Sequence, residues 1–381
     1  MTPTVETVEL SQVCTKIGVG LAMAVTPHMA ATGVKLIRNQ NIRPNKFDDS
    51  SIVFLDPSFA ESHSSKTVRQ NDVVIVRTGS NIGDACVVPE HFDGSQSFTT
   101  LTVRPNAKRL SPQYLAQFIN SSFGRSEVDR LMAGGAKGNL NAGELERFRI
   151  KIPPLDQQRR ISELLGNWDA SVEKIEQLIA AKERKRLWLS RKLLTKKPHW
   201  KKCKLKNFFA EIRDLHGDGD FPVGSIGKRG IGFRNEIYSK NLSEKTSGNI
   251  LVRNSSICFG LASDSIVYGV NLSNVIFSVS PAYRTFQLQD VDCRFMDNYL
   301  RVFNKKLSGR FLITSARQGK AIDFDGLLNE PCYFPELKEQ IRISDALDAN
   351  RLEIEALKSL SMQYKNQKRG LTKNLLTGSW R

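Results

Sequence analysis

The sequence predicts a mixed α/β fold class, in which two α/β domains are separated by two long helices that pair with each other. Three observations predict it. Residues 153–195 recur at residues 335–377 without a gap, at an offset of 182. Both copies carry an apolar stripe at helical spacing, and each copy follows a segment rich in β-branched and aromatic residues. Since the chain carries each element twice, the fold should have a pseudo-two-fold internal repeat.

Identities along the whole repeat support the duplication. The two copies share Pro153/Pro335, Leu155/Leu337, Gln158/Gln340, Arg160/Arg342, Ile161/Ile343, Ser162/Ser344, Leu165/Leu347 and Leu193/Leu375. Chance is a poor explanation for so many identities without an insertion or deletion. The two copies should therefore fold alike.

Each copy predicts a helix of about 40 residues, which would be about 60 Å long. Each helix follows a proline, a residue that suits a helix start. In the first copy the apolar residues alternate in steps of four and three, which is a heptad seam: Ile161, Leu165, Trp168, Val172, Ile175 and Ile179. The second copy keeps this register at Ile343, Leu347, Ile354 and Leu357. The two stripes can cover each other; the alternative is that each stripe packs on its own neighbouring domain.

The pattern divides the chain into four segments: a domain at 1–151, a helix at 152–197, a domain at 198–334 and a helix at 335–381. Runs of β-branched residues predict strands at 72–77, 84–88 and 98–104 in the first domain, and at 249–253, 265–270 and 274–279 in the second. Short helices are expected at 112–121 and 296–305.

The positive charge is concentrated in two stretches. The chain has 56 basic and 39 acidic residues, a net charge of +17. Residues 182–206 hold twelve Lys or Arg and one acid, and residues 363–381 hold five and none, so together they carry 16 of the 17 charges. A concentrated basic patch indicates a polyanionic partner such as nucleic acid. The alternative is a solvated face, since cations are favoured at helix C-termini.

Several classes of protein find no support. No apolar run reaches the ~18 residues of a membrane span, and no secretory signal is recognisable, so we expect a cytoplasmic protein. The six cysteines stand at 14, 86, 203, 258, 293 and 332, too far apart for a zinc ribbon or a CxxC redox motif. We expect reduced thiols and no metal.

The motifs of an enzyme are missing as well. Gly319-Lys320 is followed by Ala321, so no phosphate-binding P-loop is present. Pro153-Pro154 lacks the preceding Asn or Asp and the following aromatic residue of amino-methylating enzymes. A nuclease-like Glu183-Arg184-Lys185 lies on the heptad helix and not on a strand. We therefore name no catalytic residue and expect that the chain is not an enzyme.

The sequence resembles a known family, the specificity subunits of type I restriction–modification systems. The resemblance rests on Lys151-Ile152-Pro153-Pro154-Leu155 at the start of the first long helix, and on Leu193-Leu194-Thr195 and Leu375-Leu376-Thr377-Gly378 at the ends of the two helices. Residues 72–80, which end in Arg-Thr-Gly-Ser, add to it. In the second half Pro154 is replaced by Glu336, and Arg253-Asn254-Ser255 takes the place of the Arg-Thr-Gly-Ser turn.

The resemblance implies both an architecture and a role. Residues 1–151 and 198–334 would be target-recognition domains, each reading half of a bipartite asymmetric DNA site. The helices would form an antiparallel coiled-coil spacer and dock two modification subunits, which methylate adenine with S-adenosylmethionine. Restriction subunits that use ATP can join that complex in prokaryotic defence. The chain itself would hold no cofactor and would choose the DNA sequence without doing chemistry.

Polar loops are the candidate DNA contacts, because Arg and Lys can read guanine and Asn and Gln can read adenine in the major groove. In the first domain they are Arg38, Asn39, Gln40, Asn41, Arg77, Thr78, Gly79, Ser80, Lys137, Asn139 and Asn141. In the second they are Arg253, Asn254, Ser255, Arg317, Gln318 and Lys320, the last three forming the counterpart of residues 137–141. The alternative for each loop is an ordinary polar turn.

Two other functions remain open from sequence. One is a self-contained DNA methyltransferase or nuclease, for which S-adenosylmethionine binding by the purified chain would be the discriminating observation. The other is a coiled-coil adaptor without a DNA role, which salt-dependent DNA binding would exclude.

Overall fold

The computed structural model of the chain describes residues 5–133, 138–212, 214–217, 219–227, 230–237, 248–261, 264–315 and 319–377. The chain forms two compact units: unit 1 contains Met1–Gln177 and Ser359–Arg381, and unit 2 contains Leu178–Lys358. The mixed α/β fold class with two long helices is confirmed. The helices run over Leu155–Leu194 and Leu337–Thr377. No helix in the described ranges is both long enough and apolar enough to cross a membrane.

Each unit contains a four-stranded antiparallel sheet, here called its central sheet. In unit 1 the strand order is Cys14–Val19, Thr100–Pro105, Val73–Val76 and Ala85–Val87. In unit 2 the order is Phe209–Glu211, Arg284–Leu288, Ser256–Phe259 and Tyr268–Val270. The two sheets have the same topology, so the duplication seen in the helices extends into the domains.

A two-stranded antiparallel sheet joins each domain to the long helices, and we call it the neck sheet. Glu6–Glu9 pairs with Arg149–Ile152 in unit 1, and Lys201–Lys204 pairs with Pro331–Phe334 in unit 2. In both units the second neck strand ends shortly before a long helix begins. The neck sheet therefore brings the two ends of each domain together beside its long helix.

The remaining elements complete each domain. Unit 1 also has the strands Met29–Ala30, Val34–Ile37, Ile42–Arg43, Lys46–Phe47, Val53–Leu55 and Gln96–Ser97, and the helices Pro57–Ser62, Pro112–Asn120, Ser122–Ala133 and Ala142–Glu146. Unit 2 also has the strands Gly224–Gly227, Gly230–Phe233, Ile250–Val252, Phe277–Val279, Leu312–Ser315 and Gly319–Ile322, and the helices Arg234–Ile237, Cys293–Phe311 and Phe324–Leu328. Each predicted strand and short helix overlaps an observed one.

The apolar residues near the ends of the long helices are more deeply buried than those in the middle. In unit 1, Ile161 and Leu165 lie in the domain core together with Leu376 from the other long helix. In unit 2, Leu194 lies in a second core with Ile343. Both interpretations of the stripe therefore hold in part, since each stripe packs on its domain and on the other helix.

Three side-chain contacts join the two helix segments within unit 1. The Trp168 ring lies 5.2 Å from that of Tyr364. Lys368 donates to Asp169. Lys365 pairs with Glu176 at 2.6 Å. Residue 169 of the first helix contacts residue 368 of the second, and the later residue 176 contacts the earlier residue 365. The two segments therefore run antiparallel, as predicted.

A buried glutamine explains one identity of the repeat. Gln158 is 1% exposed. Its Oε1 accepts from the N–H of Ser111 at 2.8 Å, and its Nε2 donates to the carbonyl of Pro153 at 2.8 Å. Ser111 caps the helix Pro112–Asn120. In unit 2, Gln340 accepts from the N–H of Asp292, which caps Cys293–Phe311. One amide thus fixes each long helix to its domain.

We expect Gln158→Leu to lower the free energy of unfolding of unit 1 by about 1–3 kcal/mol, because it leaves a buried N–H and a buried carbonyl without partners. Urea denaturation measures the change. Gln177→Leu is the matched control, since Gln177 is exposed on the same helix and should change stability by less than about 0.5 kcal/mol. An equal loss in both variants would contradict the assigned role of Gln158.

Candidate nucleic-acid interface

Unit 1 brings together the three polar segments that the sequence singled out separately. Asn39 Nδ2 donates to Thr78, at 3.4 Å to Oγ1 and 3.5 Å to the carbonyl. Arg77 Nη2 donates to Asn141 Oδ1 at 3.1 Å. Thr78 and Asn139 form an antiparallel β-bridge. We call these five residues, together with Arg38, the polar cluster.

Local sequence explains why the cluster forms at this place. The strand Val73–Val76 is buried along its whole length and ends directly before Arg77. Gly79 has a φ of +93°, a conformation that favours glycine in the turn that follows. Leu140 is buried and donates its N–H to the Arg77 carbonyl at 3.1 Å. The strand end, the glycine turn and the buried leucine thus set the position of the cluster.

The cluster contains polar atoms whose bonding capacity is not used. Arg38 Nε, Asn39 Oδ1 and Arg77 Nε are buried and have no hydrogen-bond partner within the described part of the chain. Most buried polar groups in proteins are paired, so three unpaired atoms in one cluster need an explanation. Guanidinium and amide groups are the donors and acceptors that read base edges. The cluster therefore has the chemistry of a nucleic-acid contact.

A serine that the sequence did not single out supports the first loop. Arg38 Nη2 donates to the Ser51 carbonyl at 3.0 Å, and Gln40 Nε2 donates to Ser51 Oγ at 2.7 Å. Asn41 is buried, and its Nδ2 donates to the Asp48 carbonyl at 2.8 Å. Asn41 thus positions the loop, while Gln40 stays exposed. The signal available in the sequence was the polar run at 48–51, which is typical of a turn.

Other candidates of unit 1 lie around the cluster. Gly79 and Ser80 are exposed in the turn after the strand. Asn141 precedes the helix Ala142–Glu146, and its N–H donates to Glu144 Oε2 at 2.8 Å. Lys137 lies outside the described residues.

The candidates of unit 2 have separate partners. Arg253 Nε donates to Asp214 Oδ2 at 2.9 Å, and Asn254 Nδ2 donates to the Ser273 carbonyl at 3.0 Å. Ser255 donates through its Oγ to Asn254 at 2.7 Å. Lys320 pairs with Asp264 at 2.7 Å. Arg317 and Gln318 lie outside the described residues.

The proposed equivalence between residues 253–255 and the Arg-Thr-Gly-Ser turn is wrong. The strand Ser256–Phe259 occupies the place of Val73–Val76 in the central sheet. Arg77 follows its strand, whereas residues 253–255 precede theirs. The two segments therefore lie at opposite ends of equivalent strands.

Backbone hydrogen bonds identify the true counterpart. Gly260 donates its N–H to the Val267 carbonyl at 2.9 Å, as Val76 does to Asp84 at 2.8 Å. Leu261 is therefore the counterpart of Arg77. For the second proposed equivalence only Lys320 can be placed: it precedes Asp323, the capping residue of Phe324–Leu328, by three positions, as Gly138 precedes Asn141.

The basic stretch of unit 2 is partly neutralised. Lys182 pairs with Glu353 at 2.5 Å, and Lys197 pairs with Glu339 at 3.2 Å. Lys196 stands 3.9 Å from the ring centre of Tyr333. Lys201 also pairs with Glu336 at 3.5 Å. The other nine basic residues have no acidic partner in the described ranges: Arg184, Lys185, Arg186, Arg191, Lys192, Lys196, Lys202, Lys204 and Lys206. The stretch is thus a solvated face in part, but it keeps a local positive potential. Across those same ranges, no three side chains form a metal-binding group.

Comparisons with known proteins found similarity to DNA specificity subunits. Residues 4–183 match the family described as "Type I restriction modification DNA specificity domain". The chain is 31% identical over 149 residues to the type I restriction enzyme StySPI specificity subunit of Salmonella potsdam, and 30% identical over 149 residues to the EcoKI specificity subunit of Escherichia coli K12. Each match covers 38% of this chain and 32% of the relative, so the matched stretch spans about a third of the length of these curated relatives.

Two further comparisons cover most of the chain. The MjaVIII specificity subunit of Methanocaldococcus jannaschii is 21% identical over 353 residues, which is 82% of this chain and 80% of the relative. The structure of a type I restriction–modification system subunit from M. genitalium superposes with a TM-score of 0.58 at 13% identity, covering 99% of both chains. A chain from a structure that describes complex assembly of the type I R-M system superposes with a TM-score of 0.59 at 17% identity, covering 98% of both chains. These structures show the same fold.

Proposed function

We propose that this chain is a specificity subunit of a type I restriction–modification system and that it selects a bipartite, asymmetric DNA sequence for a methylating and restricting complex. The first domain would read one half of the site and the second domain the other half. The chain would provide sequence choice and no catalysis. Its candidate contacts are those of the polar cluster in unit 1 and, in unit 2, Lys320, because residues 253–255 lie at the opposite end of the central sheet from the position of Arg77.

The observation that carries the proposal is the polar cluster of unit 1. Arg38, Asn39 and Arg77 each have a buried polar atom without a partner within the described ranges. A surface loop without a ligand would not be expected to bury such atoms, because each buried polar atom without a partner costs about 1–3 kcal/mol of stability. The side chains that carry these atoms have the chemistry to read base edges, with Arg77 suited to guanine and Asn39 to adenine.

The duplicated domains support a bipartite site. Both central sheets have the same strand order, and both neck sheets are antiparallel pairs that lead into a long helix. Two domains of one topology can each present one end of the central sheet to DNA. Their loops differ, with Leu261 standing where Arg77 stands in unit 1, so the two half-sites would differ in sequence.

Apolar residues on the long helices support the docking of protein partners. The exposed ones include Leu178, Leu187, Trp188, Leu352, Leu360 and Met362. Exposed apolar surface that is rimmed by charge is typical of protein interfaces. We assign these surfaces to two modification subunits, which would carry S-adenosylmethionine, and to a complex that two restriction subunits with ATP can join.

Exchanging residues 1–151 for the corresponding domain of a relative tests the proposal. The chain is co-expressed with its modification subunits, and methylated adenines are mapped across a genome. We expect one half-site to change and the other to stay the same. A change in both half-sites, or in neither, would contradict independent reading by the two domains. S-adenosylmethionine binding by the purified chain would instead favour a self-contained methyltransferase.

A further inference from the structure

The neck sheet of unit 2 places two cysteines face to face. Cys203 on Lys201–Lys204 is the direct partner of Cys332 on Pro331–Phe334. Their sulfur atoms are 3.3 Å apart. Cys332 is 1% exposed, whereas Cys203 is half-buried.

The neck sheet of unit 1 offers an internal comparison. There Val8 faces Ile150, and Ile150 precedes Cys332 by the same offset of 182 that relates the two helices. Both Val8 and Ile150 are buried. The neck position thus requires only apolar packing, which a single cysteine or an aliphatic residue could provide. Packing alone does not explain a cysteine on both strands.

We propose that Cys203 and Cys332 are a redox modification site, which closes to an intramolecular disulfide when the chain meets a low-molecular-weight disulfide such as oxidised glutathione. The proposal is independent of the DNA-binding function. It needs no rearrangement of the backbone, because facing residues of an antiparallel pair have Cα atoms about 4.5–5.5 Å apart and disulfides span about 4.4–6.8 Å. The sulfur atoms must approach by about 1.2 Å to reach a bond length of about 2.05 Å.

The reaction proceeds in two exchange steps. The Cys203 thiolate attacks one sulfur of oxidised glutathione, which forms a mixed disulfide and releases one glutathione thiolate. The Cys332 thiolate then attacks the Cys203 sulfur and displaces the second glutathione thiolate. The two protons lost by the cysteines pass to the two leaving thiolates. Two protein thiols are oxidised by two electrons, and one glutathione disulfide is reduced to two thiols.

The burial and the electrostatic environment of the two cysteines indicate which of them reacts first. Burial, the neighbouring Cys203 thiol and the charge of Glu330 raise the pKa of Cys332. Cys332 is therefore a poor first nucleophile, and the more exposed Cys203 reacts first. Burial also raises the pKa of Cys14 and of Cys86 to about 12. Within the described residues, only Cys203 and Cys332 have their sulfur atoms in contact.

The bond would tie together the two strands through which the second domain joins its helices. Cys203 follows the first long helix, and Cys332 precedes the second. The disulfide would close the chain between these two positions and prevent the neck sheet from fraying. Reduction would restore the thiol pair, which packs as the aliphatic pair does in unit 1.

Thiol counting tests the site on the full chain. The folded protein is incubated with oxidised glutathione, the excess is removed, and thiols are titrated in denaturant. We expect the six thiols to fall to four, with a Cys203–Cys332 linked peptide in the mass spectrum and full recovery after dithiothreitol. Six remaining thiols would overturn the proposal, and so would a chain that carries only mixed disulfides with glutathione.

Matched variants distinguish the pair from general oxidation. Cys203→Ser and Cys332→Ser each leave five thiols, and neither should form an internal disulfide. Cys14→Ser is the control, because Cys14 has no sulfur partner in the described ranges; its five thiols should fall to three. An internal disulfide in Cys203→Ser would show that other cysteines react and would overturn the assignment.

Discussion

Replacing Arg77 by alanine is expected to lower the affinity for the specific DNA site by about 10- to 100-fold. Arg77 uses Nη2 to bind Asn141, while its Nε has no partner within the described residues. A base edge that pairs with this guanidinium would lose its hydrogen bonds in the variant. Fluorescence anisotropy with the co-expressed modification subunits, at one fixed salt concentration, measures the loss.

The expected loss is selective for the specific site. Binding to unrelated DNA depends on phosphate contacts and should change by less than about twofold. Arg109→Ala is the matched control: Arg109 lies near the neck sheet, where it forms an exposed pair with Glu6 at 3.3 Å, and such pairs contribute about 0–1 kcal/mol. If Arg77→Ala weakened specific and unrelated DNA equally, Arg77 would be a phosphate contact and not a base contact.

A second large effect is expected from Leu165→Asp, which should destabilise unit 1 by more than about 4 kcal/mol. Leu165 is 0% exposed and lies in the core that joins the first domain to both long helices. An aspartate there would bury a charge without a partner. Circular dichroism during urea denaturation should show loss of the unit 1 transition.

The neighbouring residue provides the control for this variant. Leu164 is 41% exposed, so Leu164→Asp places the same charge on the solvent side of the same helix turn. We expect its effect on the isolated chain to stay below about 1 kcal/mol. Similar losses in both variants would mean that the apolar stripe does not define the buried face of the helix.

Local patterns were sufficient for the two long helices and for some of the strands. The helices Leu155–Leu194 and Leu337–Thr377 follow from the heptad spacing and the preceding prolines. The strands Val73–Val76 and Ser256–Phe259 are buried along their whole length. The first was predicted from its run of β-branched residues, but the second was missed because Ser-Ile-Cys-Phe is a weaker pattern. The neck sheets were missed because their short strands pair with partners far along the chain.

The candidate site could be predicted only as separate pieces. The Asn-rich loop at 38–41 and the turn at 77–80 stand out by their composition, because Asn and Gly suit turns and Arg suits DNA. Their meeting through Asn39 and Thr78 was not visible in the sequence. The only local signal for Ser51, which supports the first loop, was the polar run at 48–51, and that run indicates a turn without indicating its contact with Arg38.

The sequence by itself determined the duplication, the two long helices, the α/β character of both domains and the absence of enzyme motifs, because these depend on short-range periodicity and residue type. Tertiary structure alone decided which loops meet and which end of a strand each loop occupies. It showed that the counterpart of Arg77 is Leu261 and not residues 253–255, and it showed that Cys203 lies opposite Cys332. Strand register and sheet order are set by pairing between distant segments, and local sequence does not encode that pairing on its own.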